Sequence, residues 1–326
     1  MNGGDGPSSY ARNSSYQRGA IDAAESLLRK EIHKRLDLTN HSFSSSFTIA
    51  DFGCSSGPNT ILAVDIIIQA LHHKFSSSLP NVKSTPEFQV FFNDLSHTDF
   101  NALLLCSLLN SLTSLQVSPA LSMGTCFLRH ISTWPTPLAK IHYTGSSAEV
   151  AQAYSCQFDK DIKSFLRARS HELVEDGLMA LIVPGVPDGF LDSQCSTGSE
   201  FDLLGSCLMD LAREGRIKEE DVDSFNLPIY YTTPKELEDI IRSNRELKID
   251  KMEILEGMDA HDTMPDLNSR VLYLRAALDG LIRTHFGHQI LDDLFDRYSL
   301  KLAHSSFILN PQTHKSIMIF TLLTRC

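Results

Sequence analysis

No two cysteines stand in a CxxC pair, and no stretch of about 18 apolar residues occurs in the chain. The first absence removes the common zinc and redox motifs, and an odd total of seven scattered Cys signals no disulfide framework. Reduced thiols and a cytoplasmic location are the expectation. The second excludes a membrane-spanning helix. A basic excess is also missing: Lys+Arg number 29 against 40 Asp+Glu, a net charge of −11, which argues against non-specific nucleic-acid binding. The opening stretch MNGGDGPSSYARNSS has no apolar core of the kind a secretory signal needs. What remains is ordinary globular material. The 326 residues are 42% hydrophobic and 21% charged, enough for a sizeable core in one large domain or two smaller ones.

Periodicity organises most of the chain. Residues 1–18 are rich in Gly, Ser and Asn and read as a loop or tail. Residues 21–36 carry Leu27, Leu28, Ile32 and Leu36 on one helical face. A Ser-rich linker over 40–46 follows, then the short apolar run 47–52, read as a buried strand. The helix expected over 60–73 has too many apolar residues for a free surface and should pack on a sheet. Further strands are expected over 88–92, 178–183, 247–255 and 316–323. Helices alternate with them over 148–173, 203–214 and 234–244, and a longer helical block covers 272–302. This alternation predicts a doubly wound α/β sheet. The stretch 103–137 fits neither period: it is Leu- and Ser-rich and almost uncharged.

The sharpest local signal is DFGCSSGPN over 51–59, set between a strand and a helix. Glycine permits a sharp turn and close approach of a ligand, and the following helix offers free N–H groups. Asp94, at the end of the next strand, would lie beside that turn, where open α/β sheets bind ligands. A carboxylate there suits two ribose hydroxyls. The loop is not GxGxxG, so a dinucleotide is disfavoured and an adenosine ligand without phosphates fits better, pointing to S-adenosylmethionine. The bland alternative is a tight turn followed by a strand-end Asp. Gly53–Gly57 also matches GxSxG, with Ser55 as the nucleophile of a hydrolase elbow, but only one strand precedes it and no oxyanion loop of HGGG type exists. Cys54 reads as a small packing residue, and His72-His73 as a helix end. Asp221 and Asp223 with Asn226 offer oxygen ligands to a hard cation, or merely a polar turn.

These residues, taken together, resemble the plant SABATH methyltransferases. The matching pieces are GGDG (3–6) with SYA (9–11) and the stretch 13–17; ADFGCSSGPNT (50–60); residues 88–95 with DFN (99–101); IHYTG (141–145); FLRAR (165–169); DSFNLP (223–228); and HFG (285–287) with ILD (290–292). The resemblance covers nearly the whole chain outside 103–140. It implies a Rossmann-like class I methyltransferase core with a helical cap, forming one domain over 1–326. The cap helices would come from about 200–245 and 260–305. It implies S-adenosylmethionine as donor and a small carboxylic acid as acceptor, giving a methyl ester; some members instead methylate xanthine nitrogens. Donor contacts carry over to Tyr10, Ser14, Gly53, Cys54, Asn59, Asp94 and Leu95, and an acceptor contact to Gln17. A Mg²⁺ position carries over to Asp223, the Phe225 carbonyl and Asn226. Homodimerisation is common in the family. Many members have Lys where this chain has Asn2, which weakens a salicylate assignment. YQRGAIDAA, the stretch 140–145 and PGVP (184–187) look most like loganate-type members.

One departure stands out. The family expects GVPGSFYG and a following aromatic acceptor segment between Asn101 and Ile141, and neither is present. Synonymous codons for residues 116–138 can be chosen so that reading two bases further on gives GVPGSFYGNLFPKAHLNLAYSS. Residues 104–139 therefore read as an out-of-frame version of the family segment, with the frame restored near Lys140 and part of the acceptor segment skipped. For the chain as it stands, loss of a core strand, poor folding and little or no turnover are the expectations that follow, with a catalytically dead donor-binding remnant as the alternative to an active methyltransferase.

Overall fold

The protein is represented by a computed structural model that describes residues 2–4, 6–36, 38, 46–55, 57–79, 86–94, 103, 114–119, 140–189, 196–256, 266–305 and 316–326. It divides into two compact units, residues 1–124 and 125–326.

Among the described residues, unit 1 has a parallel three-stranded sheet and two full helices. Helix α1 (Ser15–Arg35) leads to β1 (Ser46–Phe52), then α2 (Pro58–Ser78), β2 (Glu87–Asp94) and β3 (Ser114–Pro119). The order is β1-β2-β3, with Ile49 opposite Val90 and Phe92 opposite Val117. Phe88, Val90 and Phe92 alternate into the core, as the period of 2 requires. Helix α2 does pack on the sheet, its His72 ring meeting Phe88 edge-on at 4.9 Å. It also lies against α1: His73 and His33 rings sit 5.7 Å apart, and Lys74 Nζ donates to the His33 carbonyl. The His pair thus serves helix packing. A strand forms at 114–119, within the stretch where the sequence showed no strand pattern, and pairs in parallel with β2.

Unit 2 is built differently. Helix α3 (Ala148–Glu172) precedes β4 (Leu178–Gly185); α4 (Ser196–Arg213), α5 (Glu219–Ser224) and α6 (Pro234–Arg242) precede β5 (Leu247–Leu255); α7 (Leu267–Phe286) and α8 (Leu291–Ala303) precede β6 (Ile317–Arg325). The order is β4-β6-β5, and β6 runs antiparallel to both neighbours. Strand alternation alone suggested a parallel sheet; the last strand instead returns between two earlier ones in the opposite sense. Buried Tyr154, Phe158 and Leu166 of α3, Leu237 and Ile241 of α6, and Ile319 and Leu323 of β6 form one core. Each such side chain contributes about 1.5–3 kcal/mol by leaving water.

Local chemistry sets the helix ends. Pro234 occupies the first helical turn of α6, and the Thr233 hydroxyl accepts from Glu236 N. Asp266 caps α7 by accepting from Ser269 N at 2.8 Å. The block 272–302 is two helices rather than one, because Gly287 at φ +87° ends α7 and a short 3₁₀ turn, His288–Ile290, redirects the chain. The polar run 219–224 is a short helix rather than a turn.

Candidate functional site

In unit 1 the chain leaves β1 through Gly53 (φ +87°) and Ser55 (φ +55°) and enters α2 at Pro58. Two backbone bonds strap this turn to the end of β2: Gly53 N and Cys54 N both donate to the Asn93 carbonyl, at 2.7 and 3.3 Å. The next residue, Asp94, is buried and accepts from Ser55 N through its carboxylate. The parallel register β1-β2 makes this arrangement possible, because both strands end at the same edge of the sheet.

The N-terminal segment folds onto the same place. Tyr10 is buried, near enough to Asp94 for that charge to act on its phenol. Asn59 Nδ2, in the first turn of α2, donates to both the carbonyl and the hydroxyl of Ser14 at 3.0 Å. A Cβ on Gly57 would come within 3.5 Å of the Ala11 Cα, so the segment lies close over the turn. Asn2 closes the loop: it accepts from Tyr10 N at 2.8 Å and donates to the Ser8 carbonyl at 3.0 Å. Six of the seven predicted donor residues, Tyr10, Ser14, Gly53, Cys54, Asn59 and Asp94, are therefore gathered by unit 1 itself. Leu95 lies outside the described residues. Gln17 sits in the first turn of α1, one turn beyond Ser14.

Burial dominates the electrostatics. It raises the Asp51 carboxyl to about 6; the Thr60 hydroxyl that donates to it opposes this, and the Asp94 charge adds to it. The Tyr10 phenol is raised by burial and by Asp94. Burial also raises the Cys54 thiol, with Asp51 and Asp94 adding to it, so a thiolate is disfavoured and the packing assignment stands. Two carboxylates at one turn form a negative corner suited to a cationic or hydroxyl-bearing ligand. Asp51 is the residue the sequence reading did not single out. Its position at the end of β1 beside the Gly turn was the available signal.

In unit 2, His142 is fully buried. Its Nε2 sits 2.9 Å from the Ile229 carbonyl and its Nδ1 2.8 Å from the Thr144 hydroxyl. Burial lowers its pKa to about 3, so the ring is neutral; the carbonyl partner places the proton on Nε2. Glu200 is likewise buried, its carboxyl raised to about 7 by that burial, with Arg270 opposing.

The predicted cation position lies between α5 and α7. His285 pins α5, with Nε2 2.8 Å from the Asp221 carbonyl, and its ring packs against Phe225 at 5.1 Å. The Asn226 side-chain oxygen is buried, with no hydrogen-bond partner among the described residues. That orphan acceptor fits a cation. The surrounding donors do so less well, because Asp223 is the one carboxylate of the set. No group of three or more His, Cys, Asp or Glu gathers among the described residues.

No helix among the described residues is long and apolar enough to cross a membrane. A family model described as "SAM dependent carboxyl methyltransferase" matches residues 1–132 and 121–326. Loganic acid O-methyltransferase of Catharanthus roseus is 35% identical, over 100% of this chain and 94% of its own length. Farnesoic acid carboxyl-O-methyltransferase of Arabidopsis thaliana is 36% identical over 78% of each chain. Among solved structures, a loganic acid methyltransferase with SAH superposes with a TM-score of 0.91 at 35% identity. It covers 100% of this chain and 98% of that one.

Proposed function

The chain belongs to the SAM-dependent carboxyl methyltransferase family, and from that premise we propose that its acceptor is a small carboxylic acid of the loganate type. Tyr10, Ser14, Gly53, Cys54, Asn59, Asp94 and Leu95 hold S-adenosylmethionine, and Gln17 reaches the acceptor. The observation that carries this reading is Asp94, fixed at the end of β2 by Ser55 N beside the Gly53 turn. A carboxylate so placed accepts from a ribose diol.

When bound, the donor supplies an electrophilic sulfonium methyl. Carbon–oxygen bond formation at the acceptor carboxylate and cleavage of the sulfur–carbon bond return the electron pair to sulfur, giving a methyl ester and S-adenosylhomocysteine (SAH). No protein base is needed, since a carboxylic acid with a pKa of about 4 is ionised at neutral pH. The tasks of this chain's residues are alignment and exclusion of water. Tyr10 covers the donor corner, Asp51 and Asp94 bias it toward positive charge, and Asn59 holds Ser14 and the N-terminal segment in place. A Mg²⁺ held by Asp223, the Phe225 carbonyl and Asn226 has a structural role in this reading, supported by the orphan Asn226 oxygen.

One observation favours a second reading, a donor-binding remnant without turnover. The family model matches in two stretches that overlap over 121–132, inside the segment read as out of frame. Label transfer from methyl-labelled S-adenosylmethionine to loganic, farnesoic and xanthine-type acceptors, run beside SAH binding, tests both. Label in a base-labile ester supports the enzyme, binding alone supports the remnant, and label in a base-stable N-methyl product overturns the carboxyl assignment.

A further inference from the structure

Helix α4 and the turn ahead of α3 enclose a slot whose residues have no part in the donor, acceptor or cation assignments. Two glycines set its walls. A Cβ on Gly205 would come within 3.4 Å of the Ile141 side chain, so α4 lies close against the chain at 141. Gly145, at φ +70°, leaves room for the Lys140 ammonium, which a side chain there would meet. Lys140 is thereby held over α4, with Nζ 3.3 Å from Asp202 Oδ1.

Between them is a cavity of about 290 Å³, lined by Lys140, Asp202, Gly205, Ser206, Met209 and Arg213. All six are described residues of unit 2. The five from α4 run along one face of the helix, and from Asp202 to Arg213 they span roughly 16 Å at about 1.5 Å per residue. The middle of the slot is Gly205 and Met209, flanked by the apolar stems of Lys140 and Arg213. Burial, opposed by Lys140, raises the Asp202 carboxyl, as expected where water is scarce.

The charges at the slot do not cancel. Asp210 is shared by two cations: Lys301 Nζ lies 2.5 Å from Oδ2, and Arg213 Nη1 lies 3.0 Å from Oδ1. Lys301 also donates to the Ser206 hydroxyl at 2.9 Å, which brings its charge to the wall. Lys140, Arg213 and Lys301 thus face Asp202 and Asp210, a local positive excess in a chain of net charge −11. Arg213 uses Nη1 on Asp210, and a guanidinium has further donors for a second carboxylate.

We propose that this slot binds the free anion of a medium-chain carboxylic acid. The carboxylate sits on Arg213, and the chain runs along Met209 and Gly205 toward Lys140. At about 30 Å³ for each non-hydrogen atom the cavity takes about ten of them, the number in octanoate.

Titration of octanoate into the full chain, with ¹³C-labelled methionine methyls, tests this. One octanoate per chain should bind, with a dissociation constant of about 1 mM or below, and shift the Met209 methyl resonance, assigned by Met209→Leu. 1-Octanol, which has the chain without the charge, should bind at least about tenfold more weakly. Arg213→Glu should weaken octanoate binding by as much; Arg213 is exposed, so the exchange leaves the core intact. The comparison of the two ligands needs no variant. No Met209 shift up to about 10 mM octanoate overturns the proposal. So do several molecules bound per chain, equal binding of 1-octanol, or unchanged octanoate binding in Arg213→Glu. None of these outcomes depends on the methyltransferase reading, which SAH binding reports separately.

Discussion

Among the described residues each unit carries a three-stranded sheet, and the difference between them lies in what surrounds the apolar strands. In unit 1 the functional end of the sheet is closed upon itself: the Gly53 turn, the Asn93 carbonyl, Asp94 and the N-terminal segment are joined by short-range bonds. In unit 2 the centre of the sheet is equally well buried at β6, but β4 stands half-covered at its border. If residues 104–139 are out of frame as proposed, a donor corner made from strand ends and a turn keeps its partners, because they all lie outside that segment. Donor binding and turnover should therefore come apart in this chain.

The strongest test of that contrast is repair. Replacing residues 104–139 with the Catharanthus relative's segment should raise methyl transfer by at least about a hundredfold, the scale that loss of substrate alignment costs. SAH affinity should change by less than about tenfold. Comparable gains in both would mean that the two properties are not separable.

Next in size is Asp94. Its removal deletes the anchor of Ser55 N and, in the proposed reading, the acceptors for two donor hydroxyls. Asp94→Ala should weaken SAH binding by about a hundredfold, the worth of roughly 3 kcal/mol in charge-assisted bonds. Asp94→Asn should cost about tenfold. Equal binding by all three proteins, measured calorimetrically, would remove Asp94 from the site.

A third test lies in unit 2. The Glu200 carboxyl rises from 4.5 to about 7 on folding, chiefly through burial. A raised carboxyl favours the folded state fully below its unfolded pKa, and that contribution fades as pH climbs through the folded one. Between pH 4.5 and 7 it amounts to roughly 3 kcal/mol. The unfolding midpoint should fall over this window, and Glu200→Gln should flatten the fall. An unchanged slope in the variant would show that Glu200 is not the group titrating.

The smallest effect concerns the cation position. One carboxylate and one orphan oxygen hold a cation weakly, so chelation with EDTA should move the unfolding midpoint by no more than about 2 °C and leave SAH binding intact. A large drop would make the metal part of the fold.

Much of this was legible in the sequence, for identifiable reasons. β5 runs over 247–255, as its apolar pattern requires, and α3 starts at Ala148 and ends within a residue of expectation. The DFGCSSGPN turn and Asp94 could be placed together because both end strands that the pattern marks clearly. Three things were not legible. The break at Gly287 was hidden because apolar residues continue on both sides of it. The antiparallel sense of β6 depends on tertiary pairing, which a period of 2 does not encode. The pairing of β3 with β2 was masked by a segment whose residues give no alternation, although the backbone there still completes the ladder. Asp51 shows a further limit: its raised carboxyl comes from burial beside Asp94, a property of the assembled turn rather than of the motif.

Calorimetric titration of SAH into the chain as it stands tests the central claim most directly. One binding site per chain, weakened about a hundredfold by Asp94→Ala, is the predicted result. Absence of binding in the unaltered chain, while the grafted chain binds, would contradict it and make the donor corner dependent on the segment it is said to survive without.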